Sequence, residues 1–217
     1  MKATIIVTSY NYGAYIDRCL RSCLTQNFPN NDYEVIVVDD ASTDNTVKIL
    51  AKFKKHKNFR YFVNEENKGV AESANVGIRE AMGQYFVRVD ADDYINEDLL
   101  LFQTRYLAEN HEAFCVSCDY VMVDEFGNKL ERKYAETDPV SCGIMYRTDL
   151  IRNLGMYNSE FRHREEEELR ARLAEYYQIH HLRIPLYRYR MHESNKTKNK
   201  AAMDQFKTYV DLIKKKK

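Results

Sequence analysis

Three carboxylates within four residues, Asp90-Ala91-Asp92-Asp93, follow directly on the apolar run YFVRV at 85–89. Hard oxygen donors at i and i+2 suit Mg²⁺ or Mn²⁺, with phosphate oxygens and water completing the shell. Acids also favour helix N-termini, and Asp93 has the placement to serve the helix that begins near residue 97. A second pair, Asp39-Asp40, follows EVIVV at 34–38, where a carboxylate can accept hydrogen bonds from a ribose or a base. Asp44, with Ser42, reads instead as a cap for the next helix. The third group is the four glutamates at 165–168 that open REEEELRARLAEYY. On a helix turning about 100° per residue, Glu165 and Glu166 flank an apolar face of Leu169, Leu173, Tyr176 and Tyr177, while Glu167 and Glu168 turn away. A carboxylate at the inner edge of a cleft loses solvent, which raises its pKa and suits it to accept a proton.

Two further residue types invite a chemical reading. His192, in YRYRMHESNKT, follows the last expected strand. Cys115 and Cys118 have the C-x-x-C spacing of metal and redox sites. No second pair follows them, and a strand sends residues three apart to opposite faces, so they read as core thiols.

The elements that must position these groups are legible from periodicity. ATIIVT (3–8), EVIVV (34–38), FRYFV (59–63) and YFVRV (85–89) are short, nearly continuous apolar runs. Helical spacing at 15–24, 46–53 and 70–81 separates them. This alternation predicts an α/β fold with a mainly parallel central sheet and helices on both faces. In such sheets ligands bind beyond the carboxyl ends of the strands, where the two aspartate pairs fall. The later chain is less regular. It predicts a helix near 97–109, strand at 113–123, a hairpin at EFGNK, a strand near 142–147, helices near 148–153 and 164–177, and a last strand near 182–189. This half is expected to form the second wall of the crevice.

Composition narrows the classes. The chain has 217 residues, 44% hydrophobic, with 17 Tyr and 10 Phe, so disorder is excluded. Lys+Arg and Asp+Glu both total 33, which argues against the basic footprint of a nucleic-acid binder. No run approaches the roughly 18 apolar residues of a spanning helix. The chain opens into a strand-like run instead of a signal peptide, so its five Cys read as reduced thiols in a cytoplasmic setting. Residues 194–217 hold eight Lys against Asp204 and Asp211. That tail is either a solvated terminal helix or a weak contact with anionic lipid at the inner face of the cell membrane. No G-x-G-x-x-G or G-x-x-x-x-G-K-[ST] occurs, so a nucleotide has no glycine cradle.

Four segments in order, TSYNYGAYIDRCLRSCLTQ, EVIVVDDASTDNT, NKGVAESANVGI and GQYFVRVDADD, resemble family two glycosyltransferases of the GT-A fold. The likeness is strong over about 3–100 and weaker to about 197. It implies one GT-A domain over 1–217, with a nucleotide-sugar half to about 97, an acceptor half over about 98–193 and a basic C-terminal helix and tail. It implies an inverting transfer from a nucleotide-diphosphate sugar, a UDP-sugar foremost, to a glycan or lipid-linked acceptor, in cell-surface polysaccharide or glycan synthesis. Thr8, Tyr10 and Asp39 are expected to face the nucleoside. Asp90-Ala91-Asp92 matches the D-x-D motif at the donor, with Asp92 the direct ligand of Mg²⁺ or Mn²⁺ and His192 on the metal or diphosphate. EEEELRARL resembles the acidic dipeptide whose second acid is the base, which points to Glu166, with Glu165 in reserve. Where relatives carry Arg, this chain has Ala74, and Lys68, Arg79 or Arg88 is left to replace that donor contact. Other readings remain: a metal-dependent sugar nucleotidylyltransferase, a receiver-like phospho-acceptor using Asp39-Asp40 and Lys68, and a non-catalytic nucleotide-sugar binding module.

Overall fold

The computed structural model describes residues 1–174, 178–193 and 195, with 204, 206–208, 210 and 211 near the C-terminus. The first half alternates β1 (Ala3–Ser9), α1 (Ile16–Leu24), β2 (Tyr33–Asp39), α2 (Thr46–Leu50), β3 (Phe59–Val63), α3 (Val70–Glu80) and β4 (Tyr85–Asp90). A 3-10 turn, Ala51–Phe53, continues α2. The second half holds β5 (Tyr94–Ile95), α4 (Leu99–Glu109), β6 (Cys115–Val123), β7 (Lys129–Lys133), β8 (Met145–Arg147), α5 (Thr148–Asn153), α6 (Glu165–Leu173) and β9 (Ile179–Arg190).

All nine strands described belong to one sheet, in the order β3-β2-β1-β4-β8-β6-β9-β5, with β7 paired to β6. From β3 to β4 every pairing is parallel, as the apolar runs predict. Beyond β4 the sheet is mixed: β8 is antiparallel to β4 and β6, and β5 to β9, while β9 runs parallel to β6. The two halves are thus stitched through β4–β8 into a single surface. The hairpin at EFGNK is present. Asp124 Oδ1 accepts the N–H groups of Phe126 (3.0 Å) and Asn128 (2.8 Å) between β6 and β7.

Alternation along the buried strands divides the core between two faces. Ala3, Ile5 and Val7 pack with Leu20 of α1, Leu50 of α2 and Leu99, Leu100 and Leu107 of α4. Ile6 and Phe86 face the other way, against Ala71, Ala74 and Ile78 of α3, Ile151 of α5 and Leu169 and Leu173 of α6. All five cysteines are buried and unpaired. Cys115 and Cys118 go to opposite clusters, and burial pushes the Cys118 thiol up to about 12. Among the described residues no helix is long and apolar enough to cross a membrane.

The α3–β1 contact is close because residue 77 is glycine. A Cβ there would stand 2.4 Å from Ile6 Cγ2, inside any van der Waals contact. Gly77→Ala is therefore expected to destabilise the fold by about 1–3 kcal/mol, since Ile6 is fully buried and cannot yield freely. A shift in the urea midpoint without a change in slope checks this.

Candidate active site

The strand register sets the tips of β2, β1 and β4 side by side, with Ser9 opposite Asp39 and Thr8 opposite Asp90. A hollow of about 90 Å³ opens over these tips, walled by Thr8, Ser9, Tyr10, Tyr12, Asp90 and Asp92. The turns after β1 and β2 are laced together beside it. Asn11 N–H donates to Ser42 Oγ (2.8 Å), Asn11 Oδ1 accepts from Thr43 N–H (2.8 Å), and Asp44 Oδ2 accepts from Gly13 N–H (2.9 Å). Asp44 also accepts the Thr46 N–H at 2.9 Å, so it serves the start of α2 as its position predicts. Asp40 fixes the β3–α3 loop by accepting from Asn64 Nδ2 (2.8 Å), Lys68 N–H (2.9 Å) and Gly69 N–H (2.8 Å). Gly69 has φ +91°, which only glycine adopts without strain, and that lets its N–H turn to Asp40.

The acids after β4 fall into two groups. Asp92 Oδ2 lies 2.8 Å from His192 Nε2, and that imidazole stacks on Tyr15 at 4.7 Å between ring centroids. Asp90 and Asp93 each place a carboxylate oxygen within 4.8 Å of the other and of Cys142 Sγ. Tyr187 O–H (2.7 Å) and Arg190 N–H (2.7 Å) both donate to Asp93. Burial, with Asp92 and Asp90 alongside, still pushes the Asp93 carboxyl well above the usual range. Arg190 ties this loop to the hairpin, donating from Nε to Asp92 O (2.7 Å) and from Nη1 to Glu125 O (2.5 Å). Burial and the three aspartates raise the Tyr12 phenol as well, so it stays protonated.

A second hollow of about 260 Å³ adjoins the first, sharing Val70, Asp90 and Tyr189 as walls. At the joint sits Arg88, 2% exposed. Its Nη1 donates to Glu165 Oε1 at 2.9 Å, and its Nε lies 3.4 Å from Asp90 Oδ1. Burial works against this cation, but Asp90 and Glu165 outweigh it and hold the guanidinium charged. One arginine therefore spans a carboxylate from each half of the chain.

Thr8, Tyr10, Asp90 and Asp92 come together at the first hollow, and His192 reaches it through Asp92. Others do not line it. Asp39 is fully buried, and both its oxygens are engaged by Ser42, through N–H (2.9 Å) and Oγ (2.6 Å); burial raises its pKa against those bonds. Ala91 has its side chain in the core. Lys68 is exposed and borders a separate surface hollow with Arg162 and Glu72. Of the three expected replacements for an Arg at Ala74, only Arg88 lines the crevice; Arg79 pairs with Glu72 at 2.5 Å.

The glutamate run departs from the helical-wheel expectation. Glu166 is wholly buried and points into the core, accepting hydrogen bonds from the hydroxyls of Tyr146 and Tyr157 (2.9 Å for the latter). Glu165 faces the second hollow, and so does Glu167, paired with Arg164 at 2.5 Å. Glu168 does pair with Arg172 (2.8 Å) at i+4, but it is buried beneath the α5–α6 connection. The helix ends at Leu173, and Tyr176 and Tyr177, two of the four residues of the expected apolar face, lie outside the described residues. So does most of the Lys-rich tail. Tyr12 and Cys142 are wall residues that the sequence does not single out, whereas Ser9 stands at the exit of the first strand, where ligands are expected. Among the described residues, Ser9 Oγ is buried without a hydrogen-bond partner.

A parallel β3-β2-β1-β4 sheet with an acid-rich crevice at its carboxyl edge, closed by a mixed second half, defines a glycosyltransferase of the GT-A fold. The glycosyl transferase family 2 model matches residues 4–172, and the chain belongs to that family. Staphylococcus aureus TarS, a poly(ribitol-phosphate) beta-N-acetylglucosaminyltransferase, is 38% identical over 112 residues, 51% of this chain and 20% of TarS. The structure of TarS 1–349 with UDP-GlcNAc superposes with a TM-score of 0.82 over 98% of this chain and 66% of that one, at 24% identity. Chondroitin synthase of Escherichia coli is 31% identical over 132 residues, 60% of this chain and 19% of the synthase. A mannosyltransferase from Pyrobaculum calidifontis, solved with GDP-Man and Mn²⁺, has a TM-score of 0.75 at 20% identity, over 94% of this chain and 61% of that one. The matched part of the chain thus spans about a fifth of each of these two curated relatives.

Proposed function

We propose that the chain is an inverting, metal-assisted glycosyltransferase. It moves a sugar from a nucleotide-diphosphate donor, a UDP-sugar foremost, to an acceptor hydroxyl in glycan or cell-surface polysaccharide synthesis at the cytoplasmic side. The observation that carries this reading is the sharing of one Arg88 guanidinium by Asp90 and Glu165, where two hollows meet. The TarS complex with UDP-GlcNAc supports the donor class.

The carboxylate oxygens of Asp90 and Asp92 on the wall of the first hollow, with an imidazole on Asp92, are donors that fit a hard divalent cation. Asp92, with Asp90 and His192, would hold Mg²⁺ or Mn²⁺. Such an ion supplies Lewis-acid stabilisation of charge on a departing diphosphate. Thr8, Tyr10 and Tyr12 orient the nucleoside side of the donor, and Ser9 Oγ has a hydrogen bond to offer it.

The acceptor enters from the second hollow, opposite the donor. Its hydroxyl oxygen bonds to the anomeric carbon as the bond to the diphosphate oxygen breaks, and Glu165 takes the hydroxyl proton. One displacement from the opposite face inverts the centre. Glu165 replaces Glu166 as the base because it alone of the two reaches the crevice. Arg88 holds it in place through the hydrogen bond from Nη1.

The test is a pair of measurements. UDP with Mn²⁺ is expected to raise the melting temperature more than either alone, since ligand at about 100 times its Kd adds about 2.7 kcal/mol. With a UDP-sugar and acceptor the chain should release UDP. Release of pyrophosphate would identify a nucleotidylyltransferase, and tight donor binding without turnover a binding module.

A further inference from the structure

Tyr157 stands in the connection between α5 and α6, 2% exposed, and lines neither hollow. Three hydrogen bonds fix it. Asn75 of α3 accepts its backbone N–H through Oδ1 (3.0 Å) and donates to its carbonyl oxygen through Nδ2 (2.9 Å). Its hydroxyl donates to Glu166 Oε2 (2.9 Å). Burial, then Glu166, raise the phenol well above its ordinary range, so it stays protonated and remains a donor. The face of the ring has a further neighbour, the Arg88 guanidinium, whose carbon lies 5.5 Å from the centroid. A cation within about 6 Å of such a face is attracted by the ring's quadrupole. Among the described residues, Arg88 makes one hydrogen bond, from Nη1 to Glu165, and its Nε approaches Asp90 Oδ1 only to 3.4 Å. One bond leaves a planar fork free to swing about it.

We infer that Tyr157 is a positioning residue for transfer: its ring, clamped by Asn75 and Glu166, sets the orientation of the Arg88 guanidinium and, through it, the Glu165 and Asp90 carboxylates where the hollows meet. The inference rests on the glycosyltransferase reading, in which Glu165 takes the acceptor's proton, and adds the group that aims it. It also gives buried Glu166 a task. Tyr157 packs in an apolar cluster with Ile6, Phe86 and Leu169, and Glu166 supplies the acceptor that this cluster cannot offer its hydroxyl. Arg170, one turn further along α6, acts on Glu166 in its turn. The competing account is a tyrosine that merely fills the core. The two accounts part at the ring: the hydroxyl bond serves stability, whereas the charge on the face serves Arg88 and so turnover.

Three variants of the full chain separate them. Tyr157→Phe removes the hydroxyl and keeps the face. Pentafluorophenylalanine at the same position keeps the ring's shape and reverses the charge on its face. Tyr157→Leu removes the ring. UDP release from UDP-GlcNAc with Mn²⁺, water serving as the acceptor, gives kcat and KM. Tyr157→Phe is expected to lower kcat by less than about threefold, and the fluorinated chain to fall about tenfold below Tyr157→Phe, with Tyr157→Leu at least as slow. KM for UDP-GlcNAc should stay within about twofold throughout, because the ring touches neither hollow. Urea midpoints should drop alike in the Phe and fluorinated chains, which both lack the hydroxyl. A fluorinated chain as fast as Tyr157→Phe, or kcat that simply follows the urea midpoint, overturns the inference. If Tyr157→Leu does not fold, the two aromatic variants decide alone. Nitrogen NMR keeps the test independent of turnover. The two Arg88 Nη signals should be separate in Tyr157→Phe, where rotation about Nε–Cζ is held, and merged in the fluorinated chain; identical spectra overturn the inference. A native chain that never releases UDP loses the glycosyltransferase reading, while these spectra still report on Tyr157 and Arg88.

Discussion

Glu165→Gln is expected to slow sugar transfer by about 10²–10⁴-fold, the usual contribution of a positioned general base, while UDP binding persists. The amide keeps the shape of the carboxylate but cannot take the acceptor's proton. Glu166→Gln should act on the fold instead. Burial raises the Glu166 pKa above 4.5, against the pull of Arg170 and the tyrosine hydroxyls. A carboxyl whose folded pKa is raised contributes stability that is complete below the unfolded value and is lost as pH climbs through the folded one. The melting temperature of the native chain relative to Glu166→Gln should therefore fall between about pH 4.5 and the raised value. Melts across that range check the sign. Transfer abolished in a folded Glu166→Gln chain but preserved in Glu165→Gln would return the base to Glu166.

Arg88→Met should cost about 3–5 kcal/mol, because it removes one partner of a buried ion pair and leaves Glu165, at 5% exposure, without that guanidinium. Methionine fills much of the space, so the loss is electrostatic more than steric. The charge-neutral double variant Arg88→Met with Glu165→Gln should recover a large part of that stability without recovering transfer. Denaturant midpoints for the three chains measure it. If the double variant is no more stable than Arg88→Met, the bridge across the crevice is not what holds these two halves together.

Much of the first half is legible in the sequence because parallel strands buried on both faces leave continuous apolar runs. The acids at their ends mark the carboxyl edge of the sheet without further knowledge. Arg88 is the instructive exception. The sequence offers it only as one of three replacements for a donor contact, and its partner Glu165 lies 77 residues away, a separation that no local pattern encodes. The different surroundings of Glu165 and Glu166 are hidden from the sequence for another reason. The wheel rests on Leu169, Leu173, Tyr176 and Tyr177, and of these only Leu169 and Leu173 lie within α6, which follows Arg164 at φ +58°. Two-residue β5 is too short to show a period. Asp39 was open to a better reading, since a serine three residues after an aspartate is a local turn signature that occupies the carboxylate.

The lacing of Asn11 and Gly13 to Ser42, Thr43 and Asp44 has an evolutionary consequence. Two neighbouring turns behave as one heritable unit, because each completes the other's polar groups. A chimera that imports a relative's turn after β1 while keeping the native turn after β2 loses several of these pairings, and the buried Gly13 N–H loses its acceptor. Donor preference should therefore pass between homologues only when both turns are exchanged together.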